Sequence, residues 1–236
     1  MNNSIAKTEC NLCGGRRHYL VYQRKRQPDE KSQSGYSISE HALVKPTKVV
    51  RCLDCGFVWA IQPDVSSDEI RRDYSVMEDN EYLREEAGRR AQARVILARL
   101  AKHKQGGRLL DIGCGPGFFL EEARQGGFEV EGLDLSRWSA DYARKRFGIR
   151  VFEGLLAQAP FEPKSFDVIT FNDVIEHIED PKTFLTQVRR LLKNDGVLYV
   201  STPDIDSFLS RLLQGSWWGI NKYHLCYFSR KTLKAL

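Results

Sequence analysis

No stretch of this 236-residue chain approaches the roughly 20 consecutive apolar residues that a membrane-spanning helix requires. The N-terminus, MNNSIAKTEC, has no apolar core behind its first charge, so it does not read as a secretory signal, and a cytoplasmic protein is expected. Internal repeats and low-complexity tracts are also lacking, which excludes repeat architectures and biased linkers. Excess charge is scarce. The net charge is +5, and ten Lys or Arg against five Asp or Glu within residues 1–60 account for all of it. A basic patch there suits nucleic acid or a phosphorylated substrate, although a solvated surface is the simpler reading. Disulfide patterning is missing too: of six cysteines, Cys114 and Cys226 stand alone, and the others form two C-x-x-C pairs. In a cytosolic chain that pattern favours metal over disulfides.

Hydrophobic residues make up 42% and charged residues 28%, an ordinary globular composition for one α/β domain with a smaller attachment. Residues 1–62 form the first unit. Cys10 and Cys13 precede Gly14, Cys52 and Cys55 precede Gly56, and a glycine at each knuckle lets backbone amides turn toward the sulfurs. Strands are expected at 18–24, 47–52 and 57–61, with a polar loop at 27–39, the outline of a zinc ribbon. Four thiolates satisfy zinc's tetrahedral preference, leave no open position, and fold a segment too small for an adequate core. Residues 63–105 read as a helical linker or cap, with Ser66 or Ser67 capping one helix and a longer helix running over 81–103.

From Arg108 the pattern alternates strand and helix. Strands are expected at 109–112, 129–134, 150–153, 166–171 and 196–201, and helices at 118–125, 136–147 and 181–192. Strands separated by such helices imply a parallel sheet with helices on both faces. The strongest signal is Asp111-Ile-Gly113-Cys-Gly115-Pro-Gly117, set between a strand and a helix, where glycines let a ligand approach the backbone. Asp134 closes the next strand 17 residues after Gly117, placed to accept both hydroxyls of a ribose.

Together, LLDIGCGPGFFL, EGLDLS, FDVITFNDVIEHIEDP and LLKNDGVLYVSTP make residues 105–205 resemble the class I S-adenosylmethionine-dependent methyltransferases, with a Rossmann-like sheet. The resemblance implies that Asp111, Gly113, Gly115 and Gly117 hold the methionine and ribose portion. It also implies that Asp134 grips the ribose and that Asn172 lies at the methionine end. Gly154 is followed by Leu155-Leu156 rather than by an acidic residue, so adenine recognition would rely on backbone amides and apolar walls, and Leu135 and Leu156 are counted among the cofactor-binding residues. Asp173, Glu176 and His177 resemble the metal-binding cluster of quinone-pathway O-methyltransferases.

The whole arrangement, knuckles followed by a linker with Tyr74 and Tyr82 and then this domain, is similar to a bacterial group that includes sugar C-methyltransferases. The element Tyr223-His224-Leu225-Cys226-Tyr227-Phe228-Ser229 matches that group, except that Tyr223 stands where its C-methyltransferases often carry Glu. Histidine suits proton removal near neutral pH, which makes His224 the first candidate base and His177 the second. Trp217, Trp218 and Tyr223 form either an aromatic wall for an acceptor or a buried lid.

The expected activity is methyl transfer to a small molecule or glycan, such as a sugar, nucleotide sugar or natural product. Two alternatives are an RNA methyltransferase gripping phosphates through the basic ribbon and a non-catalytic zinc-binding partner protein with a degenerate fold. The domain expected over 106–236 stops in the helix that should precede two more strands. A fragment, or a sheet edge that dimerises or folds poorly, is therefore expected.

Overall fold

The computed structural model describes residues 9–23, 48–61, 66–76 and 78–236, and the loop expected at 27–39 lies outside them. In chain order the first elements are strands β1 (His18–Gln23), β2 (Lys48–Cys52) and β3 (Val58–Ala60), then helices α1 (Ser67–Val76), α2 (Asn80–Arg84) and α3 (Glu86–Leu100). There follow β4 (Gly107–Ile112), α4 (Phe118–Gln125), β5 (Phe128–Asp134), α5 (Arg137–Phe147), β6 (Arg150–Glu153), β7 (Phe166–Asn172), α6 (Pro181–Leu191) and β8 (Leu192–Ser201). The last are α7 (Phe208–Leu213), β9 (Cys226–Tyr227) and α8 (Arg230–Lys234). No helix among the described residues is long and apolar enough to cross a membrane.

The chain divides into two compact units whose segments alternate along the sequence. One takes residues 71–174 and 184–201, and the other takes 1–70, 175–183 and 202–236.

The first of these units holds a five-stranded parallel sheet of order β6-β5-β4-β7-β8, flanked by helices, as the alternating pattern implied. Register sets Asp111 beside Gly132 on one side and Thr170 on the other, so the carboxyl ends of β4, β5 and β7 are level. Leu109, Leu120, Ala123, Ala140, Ala143 and Val168 lie in its fully buried core. Local chemistry fixes the helix ends. Ser136 caps α5 by accepting from the Ser139 amide at 3.1 Å. Gly148, at φ 65°, ends the same helix behind Arg144, Lys145 and Arg146, cations that suit its negative C-terminal end.

Two elements differ from the sequence reading by more than a residue or two. The helix expected over 81–103 is broken at Glu85, and α2 starts at a separate cap, with the Asp79 carboxylate accepting from the Tyr82 amide at 3.0 Å. Strand β8 starts at Leu192, not Gly196, because Lys193-Asn194-Asp195 reads as a turn in sequence yet stays extended next to β7 through a register shift.

The other unit is built on an antiparallel sheet of order β1-β2-β3-β9. Val49, Val58, Ile205, Trp217, Ile220 and Tyr227 form its apolar core, and Phe57 meets Phe228 with ring centroids 5.4 Å apart. Residues from the chain's far end therefore complete the sheet begun by the N-terminal segment.

Candidate functional site

Within the parallel-sheet unit, the glycine-rich turn leaves β4 at the carboxyl edge of the sheet, where open α/β sheets bind ligands. Gly113, Gly115 and Gly117 have φ of 72°, 52° and 85°, a left-handed conformation that side chains resist. Space is also refused: a Cβ on Gly113 would sit 2.5 Å from Val174, and one on Gly117 would sit 2.9 Å from the Ala143 Cβ. The turn is held by the Gly113 and Cys114 amides, which donate to the Leu133 carbonyl at 2.7 and 3.1 Å.

Asp134 ends β5 facing this turn. Its two carboxylate oxygens accept from the Gly115 amide at 2.7 Å and the Ser136 amide at 2.8 Å, which fixes the carboxylate and leaves lone pairs for a diol. Asp111, at the end of β4, accepts from the Thr170 hydroxyl at 2.6 Å. Burial, opposed by that hydrogen bond and helped by the charge of Asp134, pushes the Asp111 carboxyl up to about 7. Burial also raises Asp134, against the amides that favour its charged form.

Leu135 follows Asp134, and Leu156 is buried at the start of a short turn, Leu156–Gln158, beyond β6. Asn172 ends β7, its side-chain oxygen accepting from the Ser201 hydroxyl at 3.0 Å. The eight residues expected to hold the donor thus lie on the ends of β4, β5 and β7, the turns that follow them, and the turn after β6.

Two further groups of this unit were not assigned roles from sequence. The hydroxyl of Tyr82, on α2, lies 3.6 Å from where a Gly115 Cβ would be. Burial pushes that phenol up to about 12, with Asp111 and Asp134 adding to the shift and Arg89 opposing it. Arg89, on α3, lays its guanidinium 3.4 Å above the Tyr82 ring and pairs with Glu85 at 2.6 Å. Its buried Nε has no hydrogen-bond partner among the described residues. In the sequence Tyr82 enters only through the linker's resemblance, and for Arg89 the spacing of seven from Tyr82 is the one trace, common to many helices.

In the antiparallel-sheet unit, Cys10, Cys13, Cys52 and Cys55 converge. Their sulfurs all lie within 4.8 Å of one another, with Cys10–Cys55 at 3.5 Å and Cys13–Cys52 at 3.6 Å. Tetrahedral zinc with sulfurs at about 2.3 Å gives sulfur–sulfur edges of about 3.8 Å, close to this spacing. Each knuckle closes through its glycine, Gly14 donating to the Cys10 carbonyl at 2.8 Å and Gly56 to the Cys52 carbonyl at 3.1 Å. Amides of Gly15 and Asp54 point at the Cys13 and Cys52 sulfurs, each at 3.4 Å. The donor set fits a four-thiolate zinc.

The same unit brings both candidate bases together. His177 and His224 meet edge to face with centroids 4.8 Å apart, and Glu176 joins them. Trp217 and Tyr223 are buried, Trp217 in this unit's apolar core, whereas Trp218 is exposed. Trp217 therefore packs the fold, which leaves Trp218 as the solvent-facing ring of the three.

A family profile described as a methyltransferase domain matches residues 82–236. A ubiquinone biosynthesis O-methyltransferase of Neisseria meningitidis is 36% identical over 107 residues, covering 41% of this chain and 44% of the relative. Among solved structures, a SAM-dependent methyltransferase of Thermotoga maritima, described as a possible histamine N-methyltransferase, aligns with a TM-score of 0.53 at 29% identity. That alignment covers 66% of this chain and 72% of the other. A SAM-dependent methyltransferase of Archaeoglobus fulgidus, 24% identical with a TM-score of 0.54, shares the fold over 66% of this chain and 71% of its own. The chain spans about half the length of the curated relatives it matches. With the Rossmann-like sheet, the glycine turn and the two strand-end aspartates in place, the chain belongs to the methyltransferase-domain family.

Proposed function

We propose that the chain transfers a methyl group from S-adenosylmethionine to a small molecule or glycan in the cytoplasm. The observation that carries this is Asp134, a carboxylate fixed by two amides at the carboxyl end of β5 and facing a turn that only glycines can form. When bound, the sulfonium supplies an already activated methyl group for in-line displacement by the acceptor. Asp134 takes the ribose hydroxyls, and Leu135 and Leu156 flank the adenine. Asp111, with Asn172 nearby in the same unit, holds the methionine ammonium. Arg89 brings the positive charge that the methionine carboxylate needs over a site otherwise built of carboxylates. His224, and next to it His177, remove a proton from the acceptor as its nucleophile attacks, and the relative named for ubiquinone O-methylation favours a hydroxyl as that nucleophile.

By role we divide the chain into a zinc ribbon over residues 1–62, a helical cap over 63–105 and a donor-binding domain over 106–236. The ribbon's zinc, held by Cys10, Cys13, Cys52 and Cys55, is structural, because four thiolates leave no position for substrate. Calorimetric titration of S-adenosylmethionine into the zinc-loaded protein tests the reading. Micromolar binding that Asp134→Ala abolishes is expected. A folded protein that binds none of the donor would end it.

A further inference from the structure

We infer that the parallel-sheet unit carries a second ligand site, a surface cleft lined by the end of α1 and the outward face of α5, which takes a nucleoside diphosphate. All of its lining residues lie in this one unit. The inference does not depend on the methyl-transfer reading, since none of the eight residues expected to hold the donor lines the cleft.

Helix α5 packs through its small residues: Ala140 and Ala143 are fully buried, which turns the positions between them outward. Trp138 and Tyr142, one helical turn apart, line the cleft with ring centroids 6.0 Å apart and planes inclined by 34°. Tyr142 is held by edge-to-face contacts with Phe118 and Phe147 and by Arg146, which donates to its hydroxyl. Trp138 is the one tryptophan of this unit, and it is half-buried. An indole on an outer helix face keeps apolar ring surface turned to water, which the flat face of a ligand can cover.

Charge is arranged beside the rings. Arg137, Asp141 and Lys145 follow one another at steps of four, a single stripe of the helix. Asp141 is taken by Arg144 at 2.9 Å, whereas Arg137 and Lys145 have no ion-pair or side-chain hydrogen-bond partner among the described residues. The α5 wall therefore presents two uncompensated cations. On the facing wall, Glu78 and Ser75 offer oxygen acceptors, since the Ser75 hydroxyl already donates to the Arg72 carbonyl at 2.7 Å.

Three chemistries in one cleft of about 460 Å³, a volume within the range of small-molecule sites, decide the ligand class. Paired rings suit the face of a heteroaromatic base, two free cations suit a group bearing more than one negative charge, and oxygen acceptors suit a ribose diol. A neutral glycan would leave both cations unanswered, and a ring with a single carboxylate would answer only one. A nucleoside diphosphate meets all three, either free or as the handle of a larger molecule. Both walls also run into the glycine-rich turn. Ser136, just before Arg137, gives its amide to Asp134, and Asp79, just after Glu78, caps the helix that carries Tyr82.

The test is calorimetric titration of the full chain with uridine diphosphate, with and without saturating S-adenosylhomocysteine. Micromolar binding is expected in both conditions, about tenfold or more tighter than that of uridine or of pyrophosphate alone. Trp138→Leu and Lys145→Gln should each weaken it about tenfold at an unchanged melting temperature, and Trp138→Phe, which keeps a ring, should restore most of the loss. Uridine diphosphoglucose binding as tightly as the free diphosphate would assign the cleft to the handle of a larger molecule. Weaker binding of it would assign the cleft to free nucleotide, and both results sustain the site. S-adenosylhomocysteine binding is read in the same titrations, so failure of the donor site and failure of the cleft are told apart. No binding at millimolar uridine diphosphate, pyrophosphate binding as tightly, displacement by S-adenosylhomocysteine, or indifference to Trp138→Leu and Lys145→Gln would overturn the assignment.

Discussion

At the scale of single residues, Asp111 makes a pH-dependent prediction. Its carboxyl is raised to about 7 in the ligand-free fold, above an ordinary value near 3.8. Between those two values the folded protein holds a proton that the unfolded chain has released. The stability this contributes is present in full below the ordinary value and is lost as pH rises through about 7. Donor binding runs the other way, because a cationic ammonium needs the carboxylate charged. The affinity for S-adenosylmethionine should therefore rise roughly tenfold from about pH 5.5 to about pH 7, and Asp111→Asn should be weak and flat across that range. A flat wild-type profile in calorimetry would remove the ammonium-holding role.

The positions of Asp111 and Asp134 were legible in the sequence because they are local: each closes an apolar strand, and turn punctuation by the glycines alone would not place them there. Glu176 was legible only through its resemblance, with Asp173 and His177, to a metal-binding cluster. Its burial beside His224, 48 positions along the chain, is a product of folding.

At the scale of elements, the break between α2 and α3 has a functional reading. A continuous helix over 81–103 was expected from composition, and nothing in Tyr82-Leu83-Arg84-Glu85-Glu86 signals an end. The Asp79 cap and the Glu85 interruption create two helices instead, and the pair puts the Arg89 guanidinium above the Tyr82 ring. If Arg89 serves the methionine carboxylate, Arg89→Met should weaken S-adenosylmethionine binding about tenfold or more, as expected for a charge-assisted hydrogen bond. Methylthioadenosine, which lacks the amino acid portion, should bind wild type and variant alike. Equal loss for both ligands would mean that Arg89 only holds the helices.

The parallel strands could be read in advance because each is an apolar run bounded by glycine or a polar turn. Strand β9 could not, since two residues carry no periodicity, and its pairing with Val58 and Trp59 is set by the tertiary fold.

At the scale of the molecule, the four-cysteine cluster and the Glu176–His177–His224 cluster belong to one compact unit with a modest core. Structural zinc in a small module contributes on the order of 10 kcal/mol of folding free energy, comparable to the whole net stability of a domain. If the four thiolates hold zinc as proposed, removing it with a chelator, or by Cys55→Ser, should therefore collapse this unit. Trp59 and Trp217, both buried there, give the near-ultraviolet circular dichroism signal that should disappear. An unchanged signal after the loss of thiolate-bound metal would show that the apolar core suffices.

In the other unit, β8 has β7 as its only strand partner among the described residues, leaving the edge from which dimerisation was expected. Leu198 on that strand is partly exposed. Ultracentrifugation across concentration reads this directly.

The alternation of the two units along the chain also bears on how such proteins diversify. The backbone passes between the units after residues 70, 174, 183 and 201. The half that holds the four-cysteine cluster is thus not a cassette that a single cut can transplant. Residues 1–70 moved alone would leave behind β9, the partner of β3, together with Ile205, Trp217 and Ile220 of their own core. A chimera that exchanges this unit between relatives must carry three segments at once, and recombination at one junction would be expected to yield insoluble chains.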